Sequence, residues 1–157
     1  MTTDKNKQFV FEIYKQLKNN DFLDFKQKRS ILETTIGAVN ENSWRVIGIT
    51  KECLKRFESL NFKYKSKQGI NRSHIKQRMQ TFVEIFEHNF ETPNELWSYY
   101  YDRDETVLST STENMTEQMS EIIPIDTTLG FFKSNKVGWK HNIPERIFLE
   151  QLYNETI

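Results

Sequence analysis

Over most of this chain apolar side chains recur roughly every three or four residues, and only a few short stretches alternate instead. That pattern restricts the fold to helices packed around a small sheet. Lys7 to Lys18 carries Phe9, Val10, Ile13, Tyr14 and Leu17 on one face, which predicts a first helix. Asn19-Asn20-Asp21 punctuates it. Phe25, Ile31, Leu32, Ile36 and Val39 continue the spacing and predict a second helix to about Gly37, closed by the Asn40–Ser43 cluster. Trp44 to Ile49 is short and rich in large and β-branched residues, and fits either a strand or the start of a helix. Thr50 has the chemistry of an N-cap for a third helix ending near Leu60, with Cys53, Leu54 and Phe57 inward. From Asn61 to Lys67 the period changes to two. Phe62 and Tyr64 oppose Lys63, Lys65 and Lys67, so a strand with an aromatic inner face and a lysine outer face is expected.

Ser73 reads as the N-cap of a long helix to about His88, striped by Ile75, Met79, Phe82, Val83 and Phe86. Thr92-Pro93 opens another, with Leu96, Trp97 and Tyr100 inward. Thr106–Ser109 reads as a short strand, and Thr110 with Glu113 has capping-box spacing for a helix through Met119. Ile122–Ile125 reads as a strand that Pro124 confines to a sheet edge. Phe131–Lys140 suggests a hairpin turning at Ser134-Asn135. Asn142 and Glu145 pair at the start of a last helix carrying Ile147, Phe148, Leu152 and Tyr153. The expected fold is α+β: a helix-rich single domain over residues 7–157 with a small, mostly antiparallel sheet, after a disordered N-terminus at 1–6.

With 157 residues the core is large enough to need no staple. The chain is polar, but twelve Phe, six Tyr and three Trp put much buried area into few side chains, which excludes a disordered chain. Cys53 is the only cysteine, so no intramolecular disulfide and no cysteine metal cluster can form. We read it as a buried core thiol, in keeping with a reducing, cytoplasmic setting. No apolar stretch approaches the ~18 residues of a membrane span, and the N-terminus leads into an amphipathic run rather than a secretory signal.

The functional lead is the distribution of charge. The 22 basic and 22 acidic residues cancel, yet they are sorted into blocks. Ser59–Val83 contains no carboxylate and carries Lys63, Lys65, Lys67, Arg72, Lys76 and Arg78; Phe90–Thr128 carries nine carboxylates against the single Arg103. With Ser73 as an N-cap, Arg72, His74 and Lys76 would surround a helix N-terminus, a place for an anion. A second basic stretch, Lys133, Lys136, Trp139, Lys140 and His141, interleaves charge with an aromatic, the pattern of phosphate contact with base stacking. The leading expectation is a nucleic-acid-binding protein that contacts phosphates through both segments.

Two other classes fit the same residues. The first is a small phosphate-directed enzyme, such as a nuclease. Arg72 and Arg78 would stabilise charge, His74 or His141 would move a proton, and Asp102 and Asp104 would hold Mg²⁺; no other cofactor is implied. The second is a protein–protein module, binding a partner or a second copy through the acidic 90–128 block. A plainer outcome is that the blocks neutralise each other within the fold. His88, at a helix C-terminus, is explained by the dipole. Glycine loops for phosphate, H-E-x-x-H spacing, an EF-hand loop and the E-x-K element of restriction-type nucleases are all absent. Arg72 followed by Ser109-Thr110-Ser111 resembles the start of the mono-ADP-ribosyltransferase pattern, but the Glu-x-Glu which that family requires downstream is missing.

Overall fold

Local caps and apolar stripes set most of the elements in the computed structural model, which describes residues 2–65, 67–133 and 141–157. Among the described residues the helices are α1 (Asp4–Lys18), α2 (Phe25–Val39), α3 (Lys51–Ser59), α4 (Arg78–Glu87), α5 (Pro93–Tyr101), α6 (Ser111–Thr116) and α7 (Ile143–Thr156). The strands are β1 (Arg45–Thr50), β2 (Ile70–His74), β3 (Glu105–Thr110) and β4 (Ile122–Pro124). The fold is α+β and helix-rich, and no described helix is long and apolar enough to cross a membrane. The chain divides into two compact units, Met1–Ser43 with Lys76–Asp104, and Trp44–Ile75 with Glu105–Ile157.

The first unit is helical. Thr3 caps α1 by accepting from the Asn6 amide, so the helix starts three residues before Lys7 and takes in part of the N-terminus expected to be disordered. Capping boxes open α2 (Asp24 with Gln27) and α5 (Thr92 with Glu95, followed by Pro93). Val10, Phe11, Tyr14 and Leu17 of α1 meet Leu32 and Ile36 of α2, Phe82 and Ile85 of α4, and Leu96, Trp97 and Tyr100 of α5. The Tyr14 hydroxyl donates to the His88 carbonyl, so the ring is buried without stranding its polar tip.

The second unit holds the sheet, in the order β2-β3-β1-β4. Two ladders are antiparallel, β2 with β3 and β1 with β4; the central pair, β1 with β3, is parallel. Gly48 lies in the middle of β1 at a register shift, and a Cβ there would come within 2.7 Å of Ile122 Cγ2 and 3.0 Å of the Ile123 carbonyl. Only glycine lets the edge strand approach so closely. Ile49, Cys53, Leu54, Phe57, Leu108, Phe132 and Leu149 form the centre of this core. Burial pushes the Cys53 thiol pKa well up, as suits an inert core thiol.

Three expectations fail here. The described residues of the 61–67 segment do not form a strand: Asn61 and Phe62 follow the end of α3 with φ of 52° and 54°, and this left-handed pair reverses the chain. The predicted facing is nevertheless correct, with Phe62 buried, Tyr64 half-buried and the three lysines exposed. Nor does Ser73 cap a helix. It lies inside β2, its hydroxyl 2.6 Å from that of Ser109, and α4 begins five residues later at Arg78. Five consecutive pairings, from Ile70 with Thr110 to His74 with Thr106, outweigh the single capping bond that Ser73 would make. α6 also stops early, at Thr116, where Glu117 turns left-handed at φ 54°. Of the predicted hairpin, Phe131 and Phe132 form a turn, and 134–140 lie outside the described residues.

Candidate nucleic-acid interface

α3 ends at Ser59 and the chain folds back on it: Phe62 N–H donates to the Phe57 carbonyl at 2.8 Å and Lys63 N–H to that of Leu60 at 3.0 Å. The Tyr64 ring meets Phe57 edge-on, and its hydroxyl donates to the Ile70 carbonyl at 3.1 Å. With both aromatics turned in, Lys63, Lys65 and Lys67 are exposed, and none forms an ion pair among the described residues. Gln68 closes the loop. Its side chain accepts from Lys65 N–H at 2.7 Å, and its carbonyl accepts from Arg56 Nε at 3.1 Å. Three ammonium groups beyond a helix C-terminus suit the helix dipole and leave a positive field facing water.

His141 joins the second basic segment to this loop. Its Nε2 donates to the Phe62 carbonyl at 2.8 Å, and its ring lies over Phe57 with centroids 5.6 Å apart and planes at 22°. Because a carbonyl only accepts, Nε2 must carry the proton. Lys133 is exposed, while Trp139 and Lys140 lie outside the described residues.

The other predicted phosphate ligands are placed differently. Arg72 is 6% exposed, donates to the Trp44 carbonyl at 3.2 Å, and sits 5.0 Å from the centre of the Trp44 ring. Lys76 pairs with Glu84, which also accepts from the Tyr99 hydroxyl at 2.7 Å. Those hydrogen bonds hold the Glu84 pKa below its ordinary value. Arg78 donates to the Tyr100 hydroxyl at 2.7 Å and pairs with Glu33 at 3.3 Å and Asp104 at 3.9 Å. Burial, then Asp104, drive the Tyr100 pKa far up, so this tyrosine stays neutral. The anion site expected at a Ser73-capped helix start does not form.

The two candidate proton-transfer residues have different surroundings. His74 ends β2 with its ring 4.2 Å from that of Trp44, whereas His141 is held by Phe62, Phe57 and Tyr64. Asp102 is exposed at the C-cap of α5, while Asp104 is 3% exposed and faces Arg78. Among the described residues no three His, Cys, Asp or Glu side chains gather in a way that would hold a metal ion. The acidic block is also dispersed: Glu95 caps α5, Asp126 caps a 3₁₀ turn at Thr127–Leu129, and Glu105 pairs with Arg45.

One polar centre is only half legible in the sequence. Glu113, 7% exposed, accepts at Oε1 from Ser120 N–H and Oγ (2.9 and 2.7 Å). Its Oε2 accepts from Thr50 Oγ1, Thr110 N–H and Thr110 Oγ1 (2.7, 2.9 and 3.0 Å). Burial would raise its pKa, but the donors from Ser120, Thr110 and Thr50 outweigh it and hold it at about 2. The Thr110–Glu113 capping box was readable; the bonds to Thr50 and Ser120 depend on β1 lying beside β3. Next to this centre is a pocket of about 450 Å³ lined by Glu52, Arg56, Gly69, Thr110, Ser111, Thr112 and Glu113. Comparison of the chain with protein-family models, with curated proteins and with solved structures finds no match.

Proposed function

We propose that this chain binds nucleic acid through its phosphates, using the exposed lysines of the 61–68 loop together with the basic segment that ends at His141. The observation that carries this reading is the bond from His141 Nε2 to the Phe62 carbonyl, which brings the end of one basic segment onto the other while Lys63, Lys65 and Lys67 stay open to solvent. Lys133 adds charge, and Lys136, Trp139 and Lys140, which precede His141 in the sequence, lie outside the described residues. Gln68 and the inward aromatics hold the described residues on either side of the lysines, which turns Lys63, Lys65 and Lys67 toward solvent and phosphate. Arg72, Lys76 and Arg78 are left out because protein groups occupy them. A cytoplasmic setting goes with the reading, since nucleic acid and a lone reduced thiol both belong there.

The test is fluorescence polarisation of labelled single- and double-stranded DNA and RNA across a salt series. Affinity is expected to fall as salt rises, with a logarithmic slope of about −0.9 per phosphate contact on duplex DNA and about −0.7 on single strands. No binding to any probe at low salt would remove the reading.

A further inference from the structure

The pocket beside the lysine loop has a chemistry of its own. Arg56 lines it and is tied to the loop through the Gln68 carbonyl, the residue whose side chain also holds Lys65 N–H. Its other described bond is from Nη1 to Ser59 Oγ at 3.4 Å, so its guanidinium forms no ion pair among the described residues. Across the pocket, the hydroxyls of Ser111 and Thr112 make no hydrogen bond among the described residues. Glu113 is fully engaged, and Glu52 is engaged through one of its two oxygens. Glu52 is paired with Lys55 at 2.8 Å, and both oxygens of Glu113 are filled by donors from Thr50, Thr110 and Ser120. For an anion the lining offers one guanidinium and two hydroxyls, while Glu52 Oε2 is the one lining carboxylate oxygen that no donor holds among the described residues.

A guanidinium donates through a flat fork that matches two oxygens of a phosphate, and hydroxyls donate to a third. The volume suits a ligand of nucleotide size. We propose that this pocket takes a phosphate monoester, either the terminal phosphate of a nucleic-acid strand or that of a free nucleotide. The strand-end source rests on the nucleic-acid reading above, with the lysine loop contacting the internal phosphates that follow; the pocket chemistry is common to both sources.

The test uses the full chain with oligonucleotides of one sequence that carry a 5′-phosphate, a 3′-phosphate or hydroxyl ends, in a polarisation assay. At least one phosphorylated end is expected to bind about tenfold more tightly than the hydroxyl-ended strand. Arg56→Met is expected to erase that preference. The double variant Ser111→Ala, Thr112→Val does not touch the loop and is expected to erase the same preference while leaving hydroxyl-ended binding within about twofold, so a folding defect in one variant does not decide the matter. AMP as competitor separates the sources. Displacement of the phosphorylated strand's extra affinity at low AMP concentration points to a free nucleotide, and resistance to it points to a strand end. Equal affinity for all ends, with no AMP binding by equilibrium dialysis, overturns the proposal. If no hydroxyl-ended strand binds at all, the nucleic-acid reading falls, and AMP dialysis against the Arg56→Met variant decides the pocket alone.

Discussion

Glu113 shows most clearly what a single residue does here. Five donated hydrogen bonds stabilise its ionised form, and they come from the end of β1, the end of β3 and the segment before β4. Glu113→Ala leaves those donors, buried at Thr50 and half-buried at Thr110 and Ser120, unmatched, and is expected to cost about 2–4 kcal/mol in urea unfolding. The pH dependence has a definite sign. The pKa is lowered on folding, from 4.5 to about 2, so the stabilisation is fully present above about 4.5 and drains away as pH falls toward 2. Wild type should therefore lose stability more steeply across that window than Glu113→Gln; parallel curves would deny the carboxylate this role. In the helical unit, Phe82 is fully buried with no polar atom, and Phe82→Ala is expected to lower stability by about 3–5 kcal/mol, read from the urea midpoint.

At the scale of elements, what was legible was what local chemistry decides. Thr50, Thr92 and Thr110 cap the helices their positions announced, and Pro124 lies in the edge strand that its missing N–H requires. What was not legible depends on partners distant in sequence. β2 reads as a helix start because Ser73 is a good cap, and only the ladder to β3 reveals it as a strand. Asn61–Lys67 reads as a strand because its residues alternate, yet left-handed Asn61 and Phe62 turn the chain where that strand would begin. The parallel pairing of β1 with β3 leaves no local trace, and with it went the Thr50 and Ser120 bonds to Glu113 and the neighbouring pocket. Gly48 offers a test of this scale. Gly48→Ala forces its methyl against Ile122 and the Ile123 carbonyl and is expected to cost about 1–3 kcal/mol. Hydrogen exchange at the β1–β4 ladder should accelerate more than at β2–β3; uniform protection would contradict the close approach.

For the whole molecule, zero net charge conceals a division of labour. Much of the acidic block is spent on caps, on the Glu113 centre and on ion pairs, and half of the first basic block is absorbed by Trp44, Glu84, Glu33 and Asp104. Within that basic block, Lys63, Lys65 and Lys67 are exposed and form no ion pair among the described residues, and Lys133 is exposed as well. This is why the candidate site was only partly legible: block charge located the region, but which cations face solvent depends on burial. The most direct measurement is the salt dependence of nucleic-acid affinity for wild type and for the triple variant Lys63→Ala, Lys65→Ala, Lys67→Ala. Weaker binding with a slope shallower by about two to three, at unchanged stability, is the predicted result; an unchanged slope and affinity would place the phosphate contacts elsewhere and contradict the reading.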